Sequence, residues 1–505
     1  MADQIVLGSP DAESFAGAGA RARARPTWSP TWIAAVVCLI LGTVSVLTLP
    51  SLPGYDVFAW IVWGRELAHH VIAPAQPFIV GGGPSWKPLP VLFTTVFGFF
   101  GAAPKLWVAF GRAAGLFGLF VAYRLGSRLG ASPRWWLAGP IAGVLAAFGV
   151  FVTSGWTHYM LRATSEPMVV TTTLFAIERH LAGRRVTAFV SGVALVLLRP
   201  EAGVFVGLYA VWLFFADPRL RTRLVLVAGI VAIPVGWFVP PWIASGEPLL
   251  ASIHARAFNG QLGPHPALEV LKRATNLTVW PVIIAAAAVT VLAIRTRDWL
   301  TVTLAAAALA YVAVVEAMTF DHYPGLERFM LPAAAIACVL AGVAVARFAA
   351  FAGGGLVSLA VAVVLVAVAV PFLDGRVSEA TTEVHTARQA VRIYDQMVAA
   401  TDKVGGTKRI FPCPTSYAAV NHTVQTSLAW ALTVPLTRVL GVTDVDTSLR
   451  RPALAFFAPR NPINGGAPTA FVDGLHGQLI ARAGIWKVFR VKRSGDRPGN
   501  ACVGA

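Results

Sequence analysis

Four short stretches carry residues able to do chemistry. The first is Gly54-Tyr55-Asp56, followed by a Trp-rich run and by Lys87 held between prolines in PSWKPLP. Asp56 can cap the helix that follows, or act as a general base or substrate-orienting carboxylate, with Tyr55 beside it. Lys87 suits a phosphate contact. The second stretch, HYMLRATSEP, holds His158, Tyr159, Arg162, Ser165 and Glu166. Arg162 and Glu166 are four apart and share a face if the segment is helical. They form either a local ion pair or a site in which Glu166 joins Asp56 and Arg162 positions it. Two such acids can bind an acceptor hydroxyl or a divalent cation.

The third stretch is Arg199-Pro200-Glu201, between two apolar runs, where charges need partners or a cavity. The fourth holds Asp321, His322, Tyr323, Glu327 and Arg328. Arg328 directly precedes an apolar run. Its guanidinium can snorkel to an interface or grip a phosphate through paired N–H donors. His254 and Arg256 give a weaker phosphate signal, and Glu316 lies inside an apolar run with no evident task.

These stretches are set in a chain of 505 residues that is 56% hydrophobic and only 13% charged. A soluble domain carries about one-quarter charged residues, so the bilayer is the expected solvent. The net charge of +17 does not point to nucleic acid, because the basic residues sit in short loops between apolar runs and no basic stripe interleaves with aromatics. About eleven apolar runs are long enough to be spans once polar flanks are included. They start with Trp32–Leu49 and end with Leu356–Phe372. The short run Leu89–Gly101 is instead expected to lie in the interface. The expected fold is therefore an all-α polytopic membrane protein with a small C-terminal α/β domain.

Placing the N-terminus in the cytoplasm puts arginine-rich loops such as 124–134, 178–185 and 217–223 on the inner side. The four chemical stretches then fall outside the cytoplasm, in a plasma-membrane protein. Residues 1–30 form a polar tail expected to be disordered, with a basic segment that precedes a retained anchor and not a cleaved signal. Residues 31–373 form the membrane domain, with 51–104 as its first outer loop. Residues 374–505 form the extracytoplasmic domain, which contains a helix over Ala380–Thr401 and β-like runs at Pro452–Phe457 and Trp486–Val491. Cys413 and Cys502 both fall in this domain, where a disulfide between them is plausible. Cys38 and Cys338 read as core residues.

The arrangement resembles the GT-C superfamily of integral-membrane glycosyltransferases. It is most similar to the branch with protein O-mannosyltransferases, the lipid A aminoarabinose transferase and actinobacterial arabinosyl- and mannosyltransferases. The residues that carry the resemblance are GYDVFAW, KPLPVLF, RATSEP, LLRPEAG and ERFMLP, in that order. The resemblance implies inverting transfer of a sugar from a polyprenyl-phosphate carrier to an acceptor outside the cytoplasm. It implies Asp56 as the base, Glu166 as its assistant or a metal ligand, and Lys87, Arg162 and Arg328 around the departing lipid phosphate. Tyr55, His158, Tyr159, Arg199, Glu201, Asp321, His322 and Tyr323 would surround the substrates. One acid stands in the first loop where some relatives have an adjacent pair, and Glu stands at 166 in place of the commoner Asp, so the metal stays open. An Ala/Arg/Val/Gly-rich composition suggests an actinobacterial source, hence arabinofuranose or mannose as the sugar and a cell-wall glycan or lipoglycan as the acceptor.

The rival reading is a transporter or a flippase of lipid-linked sugars. It would place ionisable groups at mid-membrane and usually show internal repeats. The acids here sit at the ends of apolar runs and no repeat is visible, which favours the enzyme. A non-catalytic scaffold for wall assembly is the third reading.

Overall fold

Proline decides where many of the helices begin. Pro88, Pro104, Pro167, Pro266, Pro281 and Pro332 each occupy the first turn of a helix. There the missing N–H has no intrahelical bond to lose and the fixed φ already suits the helix. The computed structural model describes residues 30–73, 80–257, 263–412, 416–441, 453–458 and 475–493.

Among the described residues, six helices are long and apolar enough to cross a membrane: Pro30–Thr48, Ala103–Gly130, Leu220–Ser245, Trp299–Thr319, Glu327–Ala350 and Gly355–Phe372. Two bent pairs raise the number to eight. Ala138–Phe151 turns by 68° into Trp156–Arg162, and Pro266–Leu277 turns by 97° into Trp280–Thr296. Glu166–Leu181, Arg185–Leu198 and Gly203–Ala216 are shorter helices. Every apolar run expected to span is thus helical. Trp32, Ile40, Leu47, Leu208 and Ile243 all point outward uncovered. Closed helical backbones carrying apolar outer faces are what a bilayer demands, and the chain is a multi-pass membrane protein. The helix Pro88–Gly98 has 11 residues; at about 1.5 Å per residue it falls well short of a crossing.

Small residues let the helices approach. A Cβ on Gly42 would stand 2.5 Å from the Ala109 carbonyl oxygen and 2.9 Å from the Ala113 nitrogen. Lipid tails are as apolar as the helices, so close van der Waals packing of this kind drives their association. The loop after the first span is sewn to the bundle by polar bonds. Arg112 donates to the Leu49 carbonyl (2.8 Å) and to Ser51 Oγ (2.7 Å), and Gly54 N donates to the Arg162 carbonyl (3.0 Å).

The C-terminal domain opens with a 31-residue helix, Asp374–Val404. Its sheet comprises β1 (Tyr417–Val420), β2 (Val439–Gly441), β3 (Ala453–Phe457), β4 (Leu475–Ala483) and β5 (Trp486–Arg493). The order is β2-β1-β3-β5-β4. β1 runs parallel to β2 and β3, and β5 runs antiparallel to β3 and β4. The long helix covers the sheet, with Trp486 Nε1 donating to the Ile393 carbonyl at 2.9 Å. Cys413 and Cys502 lie outside the described residues, and so does their expected disulfide.

Candidate active site

Two of the site's cations are delivered by the same local device. Lys87 and Arg199 each precede a proline, whose ring pushes the preceding residue out of the helical region. Lys87 is extended at φ −137°, ψ 116°, and Arg199 at φ −146°, ψ 100°. Each therefore ends or starts a helix, and each side chain leaves the helix axis at a junction. Arg328 lies in the 3-10 turn Glu327–Met330 that opens the helix Leu331–Ala350. Asp56 is in the first turn of Tyr55–Ile72 and Glu166 opens Glu166–Leu181, both places where the helix dipole favours a carboxylate. Gly54, and not Asp56, holds the cap position, and no side chain caps that helix end.

The side chains converge. Arg199 Nη2 donates to Glu166 Oε1 at 2.6 Å, and Arg199 Nε lies 4.0 Å from Glu201 Oε1. Arg328 bridges the two acids: Nη1 donates to Asp56 Oδ2 at 3.3 Å and Nε is 4.0 Å from Glu166 Oε1. Lys87 Nζ donates to Ser165 Oγ at 2.7 Å and stands over the Trp60 ring at 5.1 Å. Burial, with Arg199 beside it, brings the Lys87 ammonium down to about 7, although Glu166 opposes this. Arg199 also lies over the Phe329 ring at 4.4 Å. The Glu166 and Arg199 side chains are 1% and 6% exposed, whereas those of Asp56 and Arg328 are 24% and 33% exposed. The site thus has a closed floor and an open rim.

Several buried polar atoms of this cluster lack a hydrogen-bond partner among the described residues: Glu166 Oε2, Glu201 Oε1, Arg199 Nε and Arg328 Nε. A buried group left unmatched costs about 1–3 kcal/mol, and native proteins rarely leave several together. Orphans of both signs in one place mark a surface that a polar, anionic ligand can complete. A divalent cation between Asp56 and Glu166 fits poorly. The Arg328 guanidinium lies between the two acids, and no group of three His, Cys, Asp or Glu converges among the described residues.

The other sequence-derived residues are distributed around this centre. Tyr159 is buried within the field of Glu166 and Arg328. Tyr55 turns to the C-terminal domain. Its hydroxyl donates to Gln425 Oε1 at 3.1 Å, its carbonyl accepts from Thr426 Oγ1 at 2.9 Å, and its ring meets His422 at 4.9 Å. His158 Nδ1 lies 3.0 Å from Glu383 Oε2.

Arg162 and Glu166 do not share a helix face. The helix ends at Arg162, Ala163 adopts a left-handed φ of 50°, and a new helix begins at Glu166. Arg162 is buried under the influence of Glu383, and Arg199 takes the place beside Glu166. Asp321 pairs with Arg256 at 3.3 Å and Tyr323 Oη lies 2.9 Å from Ser252 Oγ, so these two bind the helix Leu250–Arg256 and not the carboxylates. His322 sits in the same turn at φ 63°. Ser165 was named in the second stretch without a role, whereas Trp60 and Phe329 were not singled out in the sequence. Glu383 and Gln425 gave no local signal, being more than 200 residues from their partners in the chain.

No family model and no curated protein matches the sequence. Comparison of folds is decisive. The structure of ArnT from Cupriavidus metallidurans bound to undecaprenyl phosphate superposes with a TM-score of 0.54, over 92% of this chain and 98% of that one, at 15% identity. The same protein in its apo state gives a TM-score of 0.57 over 91% and 97%, also at 15% identity. ArnT is a GT-C glycosyltransferase. The chain has the GT-C fold. The superposition covers enough of the chain to extend past the helical membrane part into the C-terminal region.

Proposed function

We propose that this GT-C protein is an inverting glycosyltransferase that moves a sugar from a polyprenyl-phosphate carrier to a hydroxyl acceptor outside the cytoplasm. The observation that carries the proposal is the cluster of Lys87, Arg199 and Arg328 around Glu166, with Asp56 at the more open rim and buried polar atoms left unmatched among them. ArnT bound to undecaprenyl phosphate supports the choice of carrier.

In this reading the acceptor hydroxyl lies against Asp56. Its proton passes to the Asp56 carboxylate as its oxygen attacks the anomeric carbon from the face opposite the phosphate. The bond from that carbon to the phosphate oxygen breaks, and its electron pair leaves on the polyprenyl phosphate. Lys87, Arg199 and Arg328 receive the added negative charge, the kind of preorganised electrostatics that lowers such a barrier most. Arg199 takes the role first assigned to Arg162. Glu166 is a positioning residue that holds Arg199 and Arg328. Arg328 releases Asp56 when the phosphate arrives, which leaves that carboxylate free to act as base. No step calls for a metal.

We further infer that the sugar is arabinofuranose or mannose and that the acceptor is an envelope glycan or lipoglycan. The positive-inside pattern supports an outer position for the site and for the C-terminal domain. The charged groups lie at helix ends, where an enzyme needs them, and not at mid-span as a transporter would place them. The test is transfer by purified protein in nanodiscs from radiolabelled polyprenyl-phospho-arabinose or -mannose, with Asp56→Asn alongside. Transfer by the wild type that disappears in the folded variant supports the assignment. Transfer by both discards Asp56 as base. Transfer by neither, with envelope extract as acceptor, overturns the function.

A further inference from the structure

At the far end of the helix Glu166–Leu181, 16 residues and about 24 Å from the carboxylate cluster, the bundle opens into a second pocket. Its volume is about 530 Å³. Arg124, Arg179 and Arg184 line it together with Pro30, Phe120 and Ala182. We propose that this pocket binds the headgroup of an anionic glycerophospholipid.

The charge balance is cationic. Glu178 is the one acid at this place that pairs with the lining arginines among the described residues. It accepts from Arg124 Nη2 at 2.9 Å and from Arg179. Arg124 Nη1 donates to Thr31 Oγ1 at 2.7 Å, which anchors the start of the first helix to the pocket wall. Arg184 is exposed and has no acidic partner among the described residues. Three guanidiniums against one carboxylate leave a net charge near +2, and Arg184 can turn inward to an anion. The first turn of Pro30–Thr48 also faces the pocket and adds the positive end of a helix dipole. The helix Glu166–Leu181 ends here too, but its carbonyls are already used. Ala182 N bonds the Glu178 carbonyl, Gly183 N the His180 carbonyl and Arg184 N the Arg179 carbonyl. Capping of these three carbonyls weakens, without removing, the opposing end of that helix's dipole.

The apolar surroundings select a lipid over a free ion. Phe120 and Pro30 form part of the wall, and the helix that starts at Pro30 exposes Trp32, Ile33 and Val36 in its first two turns. A phosphate seated on the arginines would leave its acyl chains along that uncovered face. Basic pockets between spanning helices are suited to anionic headgroups in this way.

The test is native mass spectrometry of the delipidated full chain in mild detergent. It is titrated with phosphatidylglycerol, with phosphatidylcholine, and with phosphatidylglycerol in the presence of inorganic phosphate. The wild type should bind phosphatidylglycerol at least fivefold more tightly than phosphatidylcholine. Arg184→Glu should abolish that preference through charge, and Ala182→Trp should abolish it by filling the pocket with charge unchanged. Arg219→Glu, on an exposed arginine elsewhere, should keep it. Equal binding of the two lipids by the wild type, or a preference that survives either pocket variant, overturns the proposal. Equal loss in Arg219→Glu would reduce the effect to overall charge and would also overturn it. Displacement of the lipid by sub-millimolar inorganic phosphate would make this a soluble-anion site and reject the lipid.

Discussion

Arg199 and Glu166 meet at 2.6 Å with neither side chain more than 6% exposed. A charge pair so enclosed is weak evidence for stability, because desolvation offsets its attraction, yet removing one partner leaves the other stranded at about 3–5 kcal/mol. Glu166→Ala should therefore lower the melting temperature in detergent as well as activity. Glu166→Gln keeps one hydrogen bond to Arg199 and should stay folded while transfer falls by roughly 10²–10³, the usual cost of losing preorganised electrostatics. Thermal melts beside transfer assays separate the two. Full transfer by folded Glu166→Gln would remove Glu166 from the machinery.

If Lys87 holds the donor phosphate as proposed, donor binding should be sensitive to pH. The folded value of Lys87, about 7, lies below the ordinary lysine value of 10.5. The ammonium, which is the form that holds phosphate, is present below pH 7 and lost as pH rises through it. Affinity for a polyprenyl-phospho-sugar, whose phosphodiester keeps one negative charge throughout, should drop several-fold between pH 6 and pH 8.5. In Lys87→Met the affinity should be low and flat over that window. Calorimetric titration at both pH values checks this, and a parallel slope in the variant would assign the titration to another group.

The contact between membrane part and C-terminal domain should weaken in acid. Glu383 meets His158, and its bond to that ring holds the carboxyl below its ordinary 4.5, against the effect of burial. A depressed carboxyl contributes stability that is present above its unfolded pKa and lost as pH falls through the folded one. Protection factors, that is hydrogen exchange corrected for its intrinsic pH dependence, in Trp156–Arg162 and in the start of Asp374–Val404 should therefore fall as pH drops below about 4.5. Glu383→Gln should show the lowered protection already at neutral pH and little further change in acid. An unchanged pattern in the variant would mean that the pair does not hold the domains.

Gly42 tests the packing of the first span. A side chain there meets the Ala109 carbonyl oxygen at 2.5 Å, and backbone cannot yield as a flexible side chain can. Gly42→Leu should destabilise by about 1–3 kcal/mol, as overpacking does. A melt in detergent indistinguishable from wild type would show that this helix shifts freely.

The helices were legible because apolar runs and prolines are local signals, and both survive folding. The pairing of Arg199 with Glu166 was not, since Arg162 sits four residues from Glu166 and a continuous helix would have joined them. The left-handed turn at Ala163 breaks that helix, and no residue type there announces it. Asp321 and Tyr323 read as site residues because charge near a span end is rare, but the helix Leu250–Arg256 satisfies them. Glu383 and Gln425 reach the membrane part only through tertiary docking, which periodicity does not encode. The sheet was visible at β3 and β5, whose β-rich runs are continuous, and hidden at β1 and β2, which have four and three residues.

The two junctions at Lys87-Pro88 and Arg199-Pro200 set the spacing of the cations through main-chain geometry. A grip built this way involves few of the apolar side chains around it, chiefly Trp60 under Lys87 and Phe329 under Arg199. The other apolar residues are free to drift so long as these rings, each proline and the basic residue before it persist. A lineage could rewrite its bilayer-facing surface and its C-terminal domain while inheriting the same cluster of cations. The chemistry of the leaving group and the identity of the sugar would then evolve as separate traits of one scaffold.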